Sequence, residues 1–290
     1  MTIATVAVID NFSTLLSSLS NVETVWLVGA LMVAGVVAGL LAGMLGIGGG
    51  GILVPVLFEA FGFLGIDDSV RMHLAVGTSL AVIVPTSIRS FTAHRSRGTV
   101  DMPVLRQMAA LVILGVLFGS IVAKFASSEA LRIIWVVVAI LLGLKLALGR
   151  EDWRLGDHLP GAFWIRGYGL FLGVLSTLMG IGGGIFMVTF MTLFNRPLLQ
   201  AVSTSSGLGL LISIPGVLGL IWAGWSATGL PFGSLGYVSL LGAAVILPAS
   251  MLVAPLGVRI AHGVNMRTLE LVYAVFLVVV SVRFLISLMN

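Results

Sequence analysis

The chain has 290 residues, of which 59% are hydrophobic and 9% charged, with mean hydropathy +1.17 and a formal net charge of +4. A soluble domain carries roughly 25% charged residues, so this composition excludes an ordinary water-soluble domain and calls for lipid as solvent. There is no cysteine, which excludes disulfides, thiolate chemistry and Cys-ligated metal sites, and the scattered basic residues suit membrane topology rather than nucleic acid.

Residues 1–24 carry no Lys or Arg and no Ala-x-Ala pattern, so they do not read as a cleaved signal peptide. Apolar segments follow at about 25–45, 51–64, 72–90, 104–125 and 130–148. A second set lies at about 164–179, 185–195, 200–223, 234–257 and 269–289. Five of the full-length segments have about 20 residues or more, enough to cross ~30 Å of hydrocarbon, and the two that follow the glycine runs are shorter and suit a re-entrant or tilted half-helix. Trp26, Trp153, Trp164, Trp222 and Trp225 fall near segment ends and read as interface anchors.

The segment Gly46-Ile47-Gly48-Gly49-Gly50 returns as Gly180-Ile181-Gly182-Gly183-Gly184. Glycine costs about 1 kcal/mol relative to Ala inside a helix, so each run breaks an apolar stretch. Other features recur in the same order. Ala75-Val76-Gly77-Thr78-Ser79 matches Ala201-Val202-Ser203-Thr204-Ser205, and Pro85 is followed in kind by Pro215. The sequence thus reads as a duplication, with residues 1–150 as a first transmembrane repeat and 151–290 as a second.

Charge sets the expected orientation. Loop 89–106 carries Arg89, Arg95, Arg97 and Arg106, and loop 145–166 carries Lys145, Arg150, Arg154 and Arg166. Both are expected inside, and so is loop 258–268 with Arg259 and Arg267. That parity holds only if each glycine segment turns back as a hairpin. The expected fold is therefore an all-α polytopic membrane protein. It has two inverted-topology repeats, each a glycine-broken hairpin plus three transmembrane helices, with both termini extracytoplasmic.

In such a repeat the two breaks approach each other near the midplane. Gly46, Gly48, Gly49, Gly50, Gly180, Gly182, Gly183 and Gly184 would offer backbone N–H groups and helix N-termini to a small oxyanion. Thr78, Ser79, Thr204 and Ser205 are the matched hydroxyls that would join them. The competing reading is close packing of small residues, which suits Gly35, Gly39, Gly43, Gly169 and Gly173. For the hydroxyls it is bonding to the preceding turn. Glu59, an acid in an apolar segment, and His73 are candidates for coupling. Arg89 is a candidate for gathering anions, and Pro85 and Pro215 are candidate hinges or static bends. Each also has an ordinary structural reading as an interfacial or anchoring residue.

The glycine segments, Ala75-Val76-Gly77-Thr78-Ser79 and the stretch from His94 through Gly98-Thr99-Val100-Asp101 resemble the sulfite exporter TauE/SafE family over nearly the whole chain. The resemblance implies a permease of the bacterial inner membrane for sulfite, a sulfonate such as sulfoacetate, or another sulfur-containing anion. It departs in the second half, where Ser203 stands for Gly77 and no counterpart of the His94–Asp101 stretch follows. The expected activity is export by alternating access around a midplane site. An anion channel with a fixed glycine-lined filter is the alternative. No enzymatic motif, metal site or cofactor is expected. The expected partners are the anion and the bilayer, not nucleic acid, and a homo-oligomer is compatible with the sequence.

Overall fold

A computed structural model describes residues 22–45, 50–149, 153–261 and 266–289. The elements are α1 (Val22–Leu45), α2 (Gly50–Phe63), α3 (Asp68–Ser96), α4 (Met102–Phe125), α5 (Ser128–Leu148), α6 (Ala162–Met179), α7 (Gly184–Leu193), α8 (Leu198–Ala223), β1 (Ser234–Leu235), β2 (Val238–Ser239), α9 (Leu240–Ala261) and α10 (Met266–Met289). Among the described residues seven helices are long and apolar enough to cross a membrane: α3, α4, α5, α6, α8, and the greater parts of α9 and α10. The chain is a multi-pass, helical membrane protein.

Two boundaries differ from expectation. The helix through Pro85 does not stop near residue 90 but runs to Ser96, which puts Arg89 and His94 on α3 rather than in a loop. The turn comes at Gly98, whose φ is +70°, where the left-handed conformation favours glycine. The apolar run from residue 234 opens as a small antiparallel hairpin, Ser234 opposite Ser239 and Leu235 opposite Val238, before α9 starts.

The helices pair across the sequence. α1 lies along α9, α4 along α6, α3 along α8 and α5 along α10. Small residues permit the first two contacts. A β-carbon on Gly39 would sit 2.5 Å from the Ser250 carbonyl oxygen, and one on Gly35 2.8 Å from that of Ile246. Gly173 meets the Val112 carbonyl in the same way, and Gly169 meets Met108. Backbone-to-backbone approach of this kind is how helices associate in lipid, where no hydrophobic force draws them together.

Each contact rises in number along both helices, so α1 runs parallel to α9 and α6 parallel to α4. The α6–α7 segment folds back on itself: Leu155, just before α6, donates its backbone N–H to the carbonyl of Leu193 at the end of α7. α2 likewise ends near the start of α9, with Phe61 lying 3.5 Å from the β-carbon position of Gly242.

The last pair is closed at both ends by arginine. Arg267, in the first turn of α10, donates to the carbonyls of Leu146, Ala147 and Gly149 at the end of α5. Arg132, near the start of α5 and 4% exposed, donates to the Ser287 carbonyl (3.0 Å) in the last turns of α10 and pairs with Asp68. Guanidinium groups thus take up carbonyls that a helix end leaves free.

Leucine at Gly39 or Gly173 should separate its helix pair, lowering the thermal midpoint of detergent-purified protein, because overpacking costs about 1–3 kcal/mol or more. Leucine at Gly167, with nothing within 4 Å, should leave the midpoint unchanged. Equal midpoints for Gly173→Leu and Gly167→Leu would contradict the packing described.

Candidate functional site

Gly50, of the first glycine run, touches the second break. α6 ends at Gly180, left-handed at φ +67°, and α7 begins after Gly183, left-handed at φ +72°. A β-carbon on Gly50, the first residue of α2, would lie 2.6 Å from the Gly180 carbonyl oxygen and 2.8 Å from the Ile181 Cα. Gly50 and Gly180 to Gly184 are all buried. Gly46, Gly48 and Gly49 lie outside the described residues. Ser79 on α3 ties the junction, its hydroxyl donating to the Gly180 carbonyl (2.9 Å).

One end of this junction is chemically open. The first N–H groups of any helix lack intrahelical partners. At α7 the cap is glycine, which supplies no side-chain acceptor, and Gly184, Ile185 and Phe186 are buried. Ser176 lies beside them. Its backbone carbonyl accepts from Ile181 (3.0 Å), but its fully buried hydroxyl has no partner. That oxygen is 3.3 Å from where a β-carbon on Gly183 would be. Uncapped N–H groups and an unpaired hydroxyl, buried together, present donors and a positive helix end to whatever enters. Ser213 on α8, next to the Ile212 that packs on Gly183, is a second buried hydroxyl without a partner. Tyr273 of α10 lays its hydroxyl against Gly51 in the first turn of α2.

The matched threonines have another geometry. Thr78 is fully buried, and its oxygen accepts the N–H of Ser239, immediately before α9 (2.9 Å). Thr204 is fully buried too, and its oxygen accepts the N–H of Asp101, immediately before α4 (2.9 Å) while donating to Gln200. Ser239 and Asp101 in turn cap their helices by accepting from Gly242 (3.1 Å) and Val104 (3.3 Å). Each threonine therefore anchors the start of a helix from the other half of the chain. Ser205 donates to the Val202 carbonyl of its own helix (2.8 Å).

The departure at Gly77 has a steric cause. A β-carbon there would collide with the Tyr237 carbonyl. At Ser203 the space is larger, and the side chain reaches Thr99 (2.8 Å) and His94 Nδ1 (3.0 Å).

The other candidates stand away from the junction. Glu59 makes a two-pronged ion pair with Arg283 of α10 (2.9 and 3.1 Å). The pair rims a cavity of about 280 Å³ lined by Pro55, Phe63 and Phe276 among others. Glu59 is nine residues beyond Gly50, about 13 Å along the helix. His73 is 2% exposed, stacked on Tyr237, with Nε2 against the carbonyls of Ala123 and Ala126. Arg89 is exposed on α3. Pro85 and Pro215 lie within unbroken helices, and Thr86 beside Pro85 bonds back to Val82 and Ile83.

Residues 31–284 match the description of the sulfite exporter TauE/SafE family. The chain belongs to that family. It is similar to a probable membrane transporter protein of Haemophilus influenzae, 31% identical over 253 residues, covering 87% of this chain and 96% of the relative. It is also similar to a probable membrane transporter protein of Methanocaldococcus jannaschii, 27% identical over 265 residues, covering 91% and 97%. A Bacillus subtilis probable membrane transporter protein is 25% identical over 275 residues, covering 87% and 94%. No solved structure matches.

Within this TauE/SafE protein the residues that sequence reasoning missed are Ser176, Ser213 and Tyr273. Ser176 had one usable signal: in the gapless match of the two breaks it stands opposite Ala42. A hydroxyl beside only one of two like breaks marks a difference between the halves.

Thr78→Val should strand the Ser239 N–H, and Thr204→Val the Asp101 N–H, each at a cost of about 1–3 kcal/mol. Lowered thermal midpoints for both, restored by Thr78→Ser and Thr204→Ser, are the expected outcome. Valine variants as stable as the parent would remove the capping role.

Proposed function

We propose that the protein moves a small sulfur-containing anion, sulfite or an organosulfonate such as sulfoacetate, across the membrane by alternating access around the glycine junction. The observation that carries this is the buried α7 N-terminus, uncapped, beside the unpaired Ser176 hydroxyl. Its donors are neutral, so the site binds charge with backbone dipoles and holds no cation that would bind water tightly when empty. Gly180, Gly182, Gly183, Gly184 and Gly50 form its walls. In this reading Thr78, Ser79, Thr204 and Ser205 hold its geometry. The family's name supports sulfite as the type substrate.

The halves, 1–150 and 151–290, are read as inverted repeats. Support comes from the helix pairs: α1 with α9 mirrors α6 with α4, and the caps Thr78–Ser239 and Thr204–Asp101 exchange in the same sense. With basic loops inside a bacterial-type inner membrane, both termini face outward. Pro85 and Pro215 serve as bending points of the two central helices. A membrane potential negative inside then favours export of one negative charge by about 2.3 kcal/mol per 100 mV. Glu59, neutralised by Arg283, is not needed for coupling in this scheme.

In proteoliposomes loaded with sulfite or sulfoacetate, efflux should be saturable and accelerated by a potential negative inside. Ser176→Ala should weaken apparent affinity about tenfold or more, the value of a hydrogen bond to a charged group. Unaltered affinity in a folded Ser176→Ala protein would overturn the site, and ohmic unsaturable currents would overturn the carrier.

A further inference from the structure

We infer that the junction accepts monoanions and rejects dianions, so that sulfite crosses only as hydrogen sulfite and sulfoacetate, a dianion near neutrality, only with its carboxyl group protonated. The inference rests on the site reading above and adds a rule of charge to it.

The atoms nearest the junction glycines are all neutral. They belong to Val54, Val76, Ile83, Ser176, Leu208 and Ile212, together with backbone. No charged residue occurs on α7 or anywhere along α8 from Leu198 to Ala223. On α3 the arginines that flank Ser79 are Arg71, eight residues before it, and Arg89, ten residues after it, about 12 Å and about 15 Å along the helix. On α6 Arg166 precedes Gly180 by fourteen residues, about 21 Å. The site's positive potential therefore comes from helix ends.

Gly184 opens α7, and Gly50 opens α2 against Gly180 and Ile181; each such end is equivalent to about half an elementary charge. Together they balance at most about one negative charge, and the carbonyl end of α6 at Gly180 subtracts from that. The cost of removing an ion from water grows with the square of its charge, about fourfold from monoanion to dianion. The attraction to fixed dipoles only doubles. A doubly charged oxyanion thus loses more on entry than these dipoles return, and among the described residues no guanidinium or ammonium touches the junction glycines, Lys145 reaching α7 only at Thr189, five residues beyond Gly184. A protonated oxygen has a further use, because Ser176 can accept as well as donate.

Sulfite takes up its second-stage proton near neutrality, whereas methanesulfonate stays a monoanion and sulfate a dianion across that range. The titratable groups on the elements around the junction are Glu59 on α2, Asp68, His73 and His94 on α3, Lys145 of α5 against Thr189 of α7, Tyr168 on α6, and Glu270 and Tyr273 on α10. Methanesulfonate reports any influence they have, since its own charge is constant.

The test uses the full-length protein in proteoliposomes, with each anion at fixed total concentration from about pH 6 to about pH 8.5. Methanesulfonate flux should be flat. Sulfite flux should fall about tenfold per pH unit once the dianion dominates. Sulfate should compete at least about 100-fold more weakly than methanesulfonate. Sulfite flux that is flat or rises with pH overturns the inference, as does sulfate competing on equal terms, or methanesulfonate flux falling in parallel with sulfite. Ser176→Ala separates the two claims. If it leaves the flux of both anions unchanged, the junction is not the site. If it lowers methanesulfonate flux while sulfite ignores pH, the site stands and charge selection fails. Absence of flux for both anions overturns both.

Discussion

Inside a bilayer every backbone N–H and C=O must find a partner within the protein. This constraint shapes the molecule most where helices end away from water. α6 stops at Gly180 and α7 restarts at Gly184 in fully buried surroundings. The carbonyl side of this break is satisfied: Ser176 takes the Ile181 N–H and Gly180 takes the Ser79 hydroxyl. The N–H side is not capped by any side chain. An asymmetry of that kind is costly unless something else meets the donors, and this is the ground on which the break is proposed as a binding element.

Elsewhere the same constraint is met by reaching across the chain. Thr78 and Thr204 receive N–H groups just ahead of α9 and α4, and Arg132 and Arg267 take the carbonyls at the ends of α10 and α5. Almost none of these contacts is local. Glycine on α1 and α6 lets the same helices approach at backbone distance. The scaffold around the junction is thus assembled from exchanged parts, each half completing the other's helix ends.

Much of this was legible in the sequence. The two glycine runs marked where α1 gives way to α2 and α6 to α7. The spacing of Gly35 with Gly39, and of Gly169 with Gly173, pointed to the tight helix pairs. Other features were hidden for definite reasons. The partner of Thr78 is 161 positions away, and nothing in the residues near Ser239 advertises it. Tyr237 and Val238 are apolar enough to pass for the start of a helix, although they belong to a hairpin seated on Gly77 and His73. Arg89 and His94 carry charge suited to a loop, but Thr92 bonds back to Ile88 and helix continues to Ser96, with the turn at Gly98. Ser176 looked like any hydroxyl in a membrane helix, because only its lack of a partner sets it apart.

The pairing of α1 with α9 has a consequence for biosynthesis. α1 leaves the ribosome early, and the helix that covers its Gly35–Gly39 face is nearly the last to be made. Until α9 arrives, that small-residue face rests against lipid or an insertion factor, and the Thr78 oxygen waits for the Ser239 N–H. Long-range contacts of this sort delay the final closure of a fold. A chain truncated before residue 240 would keep most of its spans yet lose the cover of its first helix, so quality control acting on the first half has to tolerate an open seam for most of translation.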